Sequence, residues 1–466
     1  MSRARPATGR VCTVAAVALL VGSAAAGVAN SSATTLAENS WTVYHGDVAG
    51  SARAKGLSFV DTRHAKWTSP ALDGQLYGEP LVFGSDIYVA TENDTVYALS
   101  STTGRVVWHR HVASAVPSSQ LPCGNISPEV GITGTPVIDS GRDEIFIVAD
   151  EMVGGHPEHV LEGLSTQTGA VQMSRNVDPP GSVSVALLQR TGLTLDNGRI
   201  IFGFGGNYGD CAPYRGRVVS APENGGRINY FTVDGASGES QGAVWMGGAA
   251  PTIDAKGNVW VSVGNGSVNQ SGQHFDDSDS VLELTSSMQL RQYFAPSSWA
   301  QNNGSDLDMS MAPALLSDGR VVIAGKSRIV YLLNGRHLGG IGHQQSSLTS
   351  GCGDDVDGGG AVNGTTVYLP CAAGTIALRV SSTAPALRVL WSASSGGGPP
   401  IIAAGLIWSI GQDGTLYGLN PSTGAVHQQI SIGAPINHFP TPSVGDGLLL
   451  APSANRVVAL RMFDAG

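Results

Sequence analysis

A two-strand sequence recurs along this chain and limits the folds that the chain can adopt. Residues 93–108, NDTVYALSSTTGRVVW, contain two β-prone runs on either side of a polar turn at Thr103-Gly104, and shorter copies stand at 160–171 and 416–426. The turn glycines Gly104 and Gly424 are 320 residues apart, which over six repeat steps is about 53 residues per unit. Repeats of this length with little helical periodicity are typical of the four-stranded blades of a β-propeller.

Eight strand-rich units of this kind are present, most with a Gly or Pro near their start. They begin near residues 78, 134, 193, 250, 312, 359, 399 and 441. Glycine contributes 63 of the 466 residues, and charged residues only 13%. Many short strands joined by tight turns need this much glycine, because its backbone adopts the positive φ of such turns. We therefore predict an all-β, eight-bladed propeller of four-stranded antiparallel blades.

The two ends of the chain predict how the ring closes. The last unit ends at 456–462, RVVALRM, without a following outer strand, whereas 65–71, AKWTSPA, is a strand-like segment without a partner. Pairing the two would join the first and last blades and cover both exposed strand edges. We expect the N-terminal strand to close the ring, with residues 41–466 forming one propeller domain.

The first residues have the pattern of an export signal. Arg3, Arg5 and Arg10 precede the apolar run VAAVALLVGSAAA and small residues suited to cleavage. The run is shorter than the ~20 residues that a membrane-spanning helix needs. Residues 1–29 are therefore predicted to be a signal peptide, and the Ser-, Ala- and Thr-rich residues 30–40 a disordered lead-in, so that the protein is secreted, attached to the cell surface or periplasmic.

Charge and cysteine content restrict partners and compartment. Without residues 1–29 the chain has 23 basic and 36 acidic side chains, a net charge of −13. This charge argues against binding to nucleic acid or to an anionic membrane surface. No later stretch resembles a transmembrane segment, and we expect a monomer. Four cysteines in an exported chain predict two disulfides. Cys123 with Cys211 and Cys352 with Cys371 is the most economical of three possible pairings.

The repeat resembles a known family. VYALSSTTGRVVW, VLEGLSTQTGAVQ and LYGLNPSTGAV are similar to the blade repeat of the pyrroloquinoline-quinone (PQQ) propeller superfamily. That superfamily includes PQQ-dependent alcohol dehydrogenases and cofactor-free scaffolds of outer-membrane assembly. In this repeat Thr-Gly makes a tight turn, and the tryptophan, here Trp108, is expected to pack between neighbouring blades. The repeat specifies fold better than function.

Three segments resemble the dehydrogenases more closely. VSVGNGSVNQSGQHFDDSDSVLELTSSMQL (261–290) resembles the segment with a calcium-binding asparagine, which implies that role for Asn265. NNGSDLDMSMAPALL (302–316) resembles the stretch with the catalytic base, which implies Asp308 as the base and Asp306 as the second choice. AGKSRIVYLLN (324–334) resembles the strand whose basic residue contacts the quinone, which implies Lys326. Calcium, held by oxygen ligands, would polarise the quinone carbonyl, and a carboxylate would take the alcohol proton.

The chain also departs from this pattern. Asn207 stands where the family has a glutamate that binds calcium, which leaves Asn265, Asn207 and Asp308 as the candidate calcium ligands, with Asp210 as a substitute acid. Leu307 replaces a tryptophan. The chain has neither adjacent cysteines nor a haem-attachment CxxCH sequence.

Other clusters of polar residues are assigned simpler roles. The acidic run HFDDSDS (274–280) could be a calcium loop, but it lacks the EF-hand pattern, and a solvated loop is predicted. The run CGDDVDGGG (352–360) could likewise hold a cation, and an acidic turn tied down by Cys352 is predicted. His156 and His159 are expected in a loop. No further His or Cys at ligand spacing accompanies them, so no transition-metal site is predicted.

Two functional hypotheses follow. The first is an exported binding or scaffold propeller that takes a protein or small-molecule ligand in its central funnel. The second is a PQQ- and Ca²⁺-dependent oxidoreductase acting on an alcohol or sugar through Asn265, Asp308 and Lys326. The missing acidic ligand favours the first hypothesis, and the retained order of these three residues favours the second.

Overall fold

The chain forms the predicted eight-bladed β-propeller. The computed structural model describes residues 40–56, 58–233, 239–433 and 439–464, so the predicted signal peptide and nearly all of the lead-in lie outside the described residues. Eight antiparallel sheets of four or five strands follow one another along the chain. Among the described residues, helical structure is confined to one turn of α-helix and a few 3₁₀ turns.

The strands that precede and form blades 1 to 4 have the following bounds. The N-terminal strands are β1 (Phe59–Val60) and β2 (Trp67–Thr68). Blade 1 contains β3 (Leu81–Phe83), β4 (Asp86–Thr91), β5 (Thr95–Ser100) and β6 (Val106–His111). A ribbon of β7 (Val116–Pro117) and β8 (Glu129–Val130) leads to blade 2, with β9 (Val137–Asp139), β10 (Glu144–Val153), β11 (His156–Ser165) and β12 (Val171–Asn176). Blade 3 contains β13 (Leu187–Leu188), β14 (Thr194–Asp196), β15 (Arg199–Gly206), β16 (Arg217–Pro222) and β17 (Asn229–Thr232). Blade 4 contains β18 (Thr252–Ile253), β19 (Val259–Val263), β20 (Ser280–Leu284) and β21 (Leu290–Ala295).

Blades 5 to 8 repeat the same order. Blade 5 contains β22 (Ala314–Leu315), β23 (Arg320–Ile323), β24 (Ile329–Asn334) and β26 (Ser346–Thr349), while β25 (Gly340–Ile341) adds in parallel to β21 of blade 4. Blade 6 contains β27 (Ala361–Asn363), β28 (Thr366–Cys371), β29 (Gly374–Val380) and β30 (Leu387–Ala393). Blade 7 contains β31 (Ile401–Ala403), β32 (Leu406–Ile410), β33 (Thr415–Leu419) and β34 (Val426–Ser431), and blade 8 contains β35 (Ser443–Gly445), β36 (Leu448–Ser453) and β37 (Arg456–Phe463). The helical turns are η1 (Tyr44–Gly46), η2 (Ser118–Gln120), η3 (Ser184–Ala186), η4 (Met246–Gly248) and α1 (Trp299–Asn303).

Burial along each blade follows from its position between two neighbours. Inner strands are covered on both faces, and β36, LLLAPS, is buried at every position. Such strands read as continuous apolar runs rather than as alternating patterns. The outer strand β6, VVWHRH, is exposed at every position except the half-buried Trp108. The hydrophobic core therefore lies between the blades.

Tryptophans on outer strands connect neighbouring blades. Each lies flat on the Thr-Gly turn of the next blade, and its indole N–H donates to a carbonyl of that turn. The pairs are Trp67 with Gly104, Trp108 with Gly169 and Trp391 with Gly424. The carbonyls belong to Ser101, Thr166 and Pro421, at 2.8, 2.8 and 2.9 Å. The recurring Thr-Gly and Trp residues are thus the two halves of an inter-blade contact.

The ring closes as predicted, through the N-terminal strands. Trp67 and Thr68 of β2 pair with Ala459 and Val458 of β37, and β1 pairs with the end of the same strand. Trp67 then packs on Gly104 of blade 1. The strand that completes blade 8 therefore also supplies the tryptophan that binds blade 8 to blade 1.

Residues 41–54, which we call the strap, cross the centre of the ring. Backbone hydrogen bonds tie them to the innermost strands of five blades, at Val82, Ile138, Ile253, Val362 and Ile402. The buried carboxyl of Glu79 anchors the strap further, because it accepts hydrogen bonds from the Trp41 indole at 3.0 Å and the His45 backbone at 2.8 Å. Burial raises the pKa of Glu79 well above its ordinary value. Since innermost strands surround the axis, the strap lies in the centre of the ring.

Two disulfides connect the loops, in the pairing that is most economical from sequence. Cys123 pairs with Cys211 and Cys352 with Cys371, with Cα atoms 5.9 and 5.8 Å apart. The expectation that His156 and His159 lie in a loop is wrong. Both belong to β11, because β10 and β11 form a hairpin of ten residues on each side. His159 is fully buried, and its Nδ1 lies 2.8 Å from Asp178.

The tryptophan–glycine contact requires a residue without a side chain at position 104. The φ of Gly104 is +69°, and an added Cβ would overlap the Trp67 ring. We expect Gly104→Ala to lower the free energy of unfolding by about 2–4 kcal/mol, the summed cost of a left-handed non-glycine residue and of overpacking. Urea unfolding of the purified protein measures this change.

Gly84→Ala is the matched control, because Gly84 has a φ of +64° and no atom within 4 Å of an added Cβ. This variant should lower the free energy of unfolding by only about 1–2 kcal/mol, the cost of a non-glycine residue in the left-handed conformation. Equal losses at the two positions would mean that the tryptophan contact adds nothing.

Candidate functional site

The residues singled out by sequence come together at one place on the ring. Asn265 follows β19 of blade 4, Lys326 follows β23 of blade 5, and Asp306 and Asp308 lie on the connection from α1 to β22. Strands β19 and β23 occupy equivalent positions in adjacent blades, so the loops that follow them lie side by side. Residues far apart in the chain therefore meet beside the central axis.

The four side chains form one polar cluster. Lys326 Nζ lies 2.6 Å from Asp308 and 3.1 Å from Asp306. The Asn265 backbone N–H donates to the other oxygen of Asp308 at 2.6 Å, and the Asn265 amide donates to Asp306 at 2.8 Å. Burial lowers the pKa of Lys326, but the charges of Asp308 and Asp306 outweigh it, and the pKa lies above its ordinary value. Lys326 is therefore a charged group held between two carboxylates.

Gly264 is required by this arrangement. A Cβ at residue 264 would lie 2.5 Å from Asp308 Oδ1 and 3.2 Å from the indole nitrogen of Trp245. The missing side chain lets the carboxylate reach the backbone N–H of Asn265. The Gly-Asn pair thus has a local structural reason, whatever the cluster binds.

An aromatic wall beside the cluster was not identified from sequence. Lys326 Nζ lies 5.6 Å from the ring centre of Trp245, within cation–π range, and Trp245 lies 5.8 Å from Phe439. On the far side of Phe439, Arg190 lies 5.5 Å from that ring and 5.4 Å from the ring of Tyr77. We call Tyr77, Arg190, Phe439, Trp245 and Lys326 the funnel row. A usable signal does exist, since Tyr77, Arg190 and Phe439 stand just before the innermost strands of their blades.

The remaining candidates lie in blade 3. Asn207 follows β15, is buried, and donates its amide to the carbonyl of Val185 at 3.0 Å. Asp210 accepts a hydrogen bond from the Tyr214 hydroxyl at 2.8 Å and interacts electrostatically with Asp308 and Lys326. The structure therefore brings Asp210 near the polar cluster, whereas the Asn207 amide is hydrogen-bonded to the backbone of its own blade.

The prediction that HFDDSDS is a solvated loop is wrong for Asp276 and Asp279, which are 3% and 0% exposed. In the second acidic run, which the Cys352–Cys371 disulfide holds, Asp357 is also buried, at 9% exposed. Asp276 accepts backbone N–H bonds from Val268 and Ser278, and Asp279 accepts the Asn302 amide. Such hydrogen bonds from within the loop replace water around a buried carboxyl. These residues shape the loops from inside.

The donor atoms of the cluster decide whether calcium fits. Asn265 Oδ1 is buried without a hydrogen-bond partner among the described residues, as expected for a metal-facing oxygen. Both oxygens of Asp308, however, are already engaged, one by Lys326 and the other by Asn265. Within the described ranges no three His, Cys, Asp or Glu side chains are grouped so as to hold a metal. Calcium prefers six to eight oxygen ligands, so this donor set does not fit it.

Comparison with known proteins agrees with this fold. A PQQ-repeat family model, described as outer membrane protein assembly factor BamB, matches residues 41–274, half of the chain. The chain belongs to the PQQ-repeat propeller family. No curated protein matches it in sequence.

Solved structures of similar fold include enzymes and an assembly factor. The quinohemoprotein alcohol dehydrogenase of Comamonas testosteroni has 14% identity and a TM-score of 0.70, over 93% of this chain and 82% of the other. A europium-containing methanol dehydrogenase has 14% identity and a TM-score of 0.65, over 92% of both chains. BamB of Moraxella catarrhalis has 15% identity and a TM-score of 0.54, over 84% of this PQQ-repeat chain and 96% of its own. At such identities the likeness establishes the propeller alone.

Helices in the described part of the chain are all too short, or too polar, to cross a membrane.

The buried carboxyls make stability depend on pH. Burial raises the pKa of Glu92, Asp150 and Asp357 to about 7 in each case. The folded protein then binds more protons than the unfolded chain between about pH 4 and 7, so unfolding becomes easier as pH rises through this range. We expect the free energy of unfolding to fall from pH 5 to pH 7.5, by at most about 1.4 kcal/mol per pH unit for each group.

Asp357→Asn tests this pH dependence, because the amide mimics the protonated carboxyl. The variant should show a shallower fall in urea-unfolding free energy than the wild type. Asp464→Asn, at an exposed position, should follow the wild-type curve. A steeper fall in Asp357→Asn would contradict the assignment.

Proposed function

We propose that this protein is an exported propeller that binds a small organic anion beside its central axis, with Lys326 as the contact for the anion. The single observation that supports this is the funnel row, in which a charged lysine faces Trp245 at 5.6 Å. A flat ligand could stack on the indole while its anionic group approaches Lys326. The disulfides Cys123–Cys211 and Cys352–Cys371 agree with an oxidising compartment.

A role in binding, without metal-dependent catalysis, accounts for the contacts that both oxygens of Asp308 make. A general base needs a lone pair within hydrogen-bond reach of the proton that it accepts, and contacts to cationic or N–H groups compete for the lone pairs of a carboxylate. Asp308 is 7% exposed and gives one oxygen to Lys326 and the other to Asn265. In this proposal Asp308 positions Lys326, and Asp306 shields it from solvent.

The second candidate is a PQQ-dependent oxidoreductase. The convergence of Asn265, Asp308 and Lys326 favours it, as does the quinoprotein dehydrogenase fold. PQQ is a planar quinone with carboxylate groups, and Lys326 and Trp245 are the residues that would hold it; the cofactor would supply hydride acceptance when bound. The unsuitable calcium donor set argues against turnover, because Asn207 and Asn265 bring no charge to a divalent cation.

PQQ is therefore the probe that separates the two candidates. We expect added PQQ to quench the tryptophan fluorescence of the wild-type protein. The affinity for PQQ should be the same in Ca²⁺ and in EDTA. The wild type should show no dye-linked oxidation of alcohols. Lys326→Met should weaken PQQ binding by about tenfold or more, the effect of losing a charge-assisted hydrogen bond. Lys256→Met, at an exposed lysine, serves as the control.

Asp308→Asn gives opposite results for the two candidates. For a binding protein, removal of this carboxylate frees Lys326, and PQQ should bind more tightly. For an oxidoreductase, the same change should abolish turnover while PQQ remains bound. Calcium-dependent binding together with alcohol oxidation in the wild type would establish the second candidate. Absence of PQQ binding would overturn both the second candidate and this choice of ligand class.

A further inference from the structure

Acidic side chains from two neighbouring blades meet where blade 1 joins blade 2. Glu92 and Asp94 lie on the turn between β4 and β5, Asp150 and Glu151 lie on β10, and Glu162 lies on β11. All of them are buried, and Asp94 is 0% exposed. The charged groups that act most strongly on Asp94 are the other four. We call these residues the acid cluster.

The acid cluster contains carboxyl oxygens that have no hydrogen-bond partner among the described residues. Both oxygens of Asp94 are of this kind, as is one oxygen of each other member. Buried polar atoms in folded proteins are nearly always hydrogen-bonded, and an ionised carboxyl is more costly to bury than a neutral one. The cluster therefore needs a partner that the surrounding side chains do not supply.

The cluster lies against the segment of chain that leads from blade 1 into blade 2. Gly131 of this segment passes so close to blade 1 that an added Cβ would lie 2.6 Å from Asp94 Oδ1. Its N–H donates to Glu92 at 2.8 Å, and its carbonyl accepts the Asp150 N–H at 3.3 Å. The contacts that hold the two blades together at this junction are thus made by, or directly beside, the buried acids.

Charged groups of both signs face the cluster from the surrounding strands. The positive groups are His159 at 3.7 Å from Asp150, Arg110 facing Glu162 and Arg190 facing Glu92. The other titratable groups are Asp178 facing Asp150, Glu158 facing Glu151 and Tyr77 facing Glu92. Asp94, in contrast, is affected most strongly by acids.

Protons are the partner that fits these oxygens. A protonated carboxyl donates a hydrogen bond to a neighbouring carboxylate, whereas no three His, Cys, Asp or Glu side chains in the described ranges are grouped so as to hold a metal ion. Burial raises the pKa of Glu92, Asp150 and Glu151 to about 7 in each case. Below neutral pH the folded cluster therefore retains protons, and above it like charges accumulate in a buried place.

We propose that the acid cluster makes the junction of blades 1 and 2 a proton-dependent closure, which is held while the carboxyls share protons and opens locally when they ionise. This proposal goes beyond the proposed function and is independent of the ligand that the funnel row binds. Acids whose pKa is higher in the folded than in the unfolded form stabilise the closed junction at low pH, and this contribution is lost as the pH rises through about 7. The backbone hydrogen bonds of Gly131 and Asp150 are the contacts that such an opening breaks.

Hydrogen exchange of the purified, disulfide-bonded chain tests the proposal, with rates corrected for the pH dependence of intrinsic exchange. Protection of the Gly131 and Asp150 amides should fall between pH 5.5 and pH 8 by about tenfold for each carboxyl that ionises. A local opening exposes little surface, so at low urea concentrations exchange at these amides should not depend on urea. Amides of the fully buried β36 in blade 8 should exchange faster as urea is added. The same urea dependence at both places would mean global unfolding and would overturn the proposal.

Glu151→Gln and Asp150→Asn identify the groups responsible, because each amide mimics a protonated carboxyl. Each variant removes one group that ionises near pH 7, so each should reduce the fall in protection by about tenfold. Glu151 lies at the edge of the cluster, so its variant serves where Asp150→Asn does not fold. Asp464→Asn, at an exposed position, is the control and should follow the wild type.

Two further outcomes would overturn the proposal. One is a fall in protection that is unchanged in both variants, since the acids would then not be its cause. The other is recovery of protection at pH 8 on addition of Ca²⁺ or Mg²⁺ alone, since the cluster would then be closed by a metal ion and not by protons.

Discussion

The packing of a tryptophan on the Thr-Gly turn of the next blade is the contact on which the ring depends. It combines a large buried aromatic surface with an indole N–H···O=C bond, and the glycine is obligatory because the ring covers the position of its missing side chain. One of its copies joins blade 8 to blade 1 through Trp67, on a strand that precedes blade 1 in the chain. The same tryptophan contact thus closes the ring and joins neighbouring blades. Loss of the N-terminal strand would therefore open the ring and remove one copy of that contact.

The strap turns this closed ring into a funnel. Residues 41–54 satisfy backbone groups on five innermost strands, and Tyr44 accepts a hydrogen bond from the Gly359 backbone. The loops that follow the second strand of each blade lie on one side of the ring. That side also has Asn265, Asp308 and Lys326.

Residue spacing alone predicts the blade number and the closing strand, because each blade repeats one local solution of strand, turn and tryptophan. Resemblance to the quinoproteins predicts that Asn265, Asp308 and Lys326 belong together, which their distances now show for the side chains but not for their roles. The resemblance did not point to Arg190 and Phe439; their place just before the innermost strands is a signal, but they are about 250 residues apart and their contact depends on ring closure. Burial of Asp279 and Asp357 was equally hidden, because a run of acids and glycines reads as solvated until the loop is folded over it.

Charge is distributed unevenly along the funnel row. Lys326 is shared between two carboxylates, whereas Arg190 has aromatic rings and a carboxyl that is half protonated near pH 7. An incoming carboxylate would thus gain most at Arg190 and would meet a partly compensated charge at Lys326. A divalent cation at Asp308 would compete with Lys326 for that carboxylate. The acids of the row therefore compensate the charge of Lys326 more fully than that of Arg190.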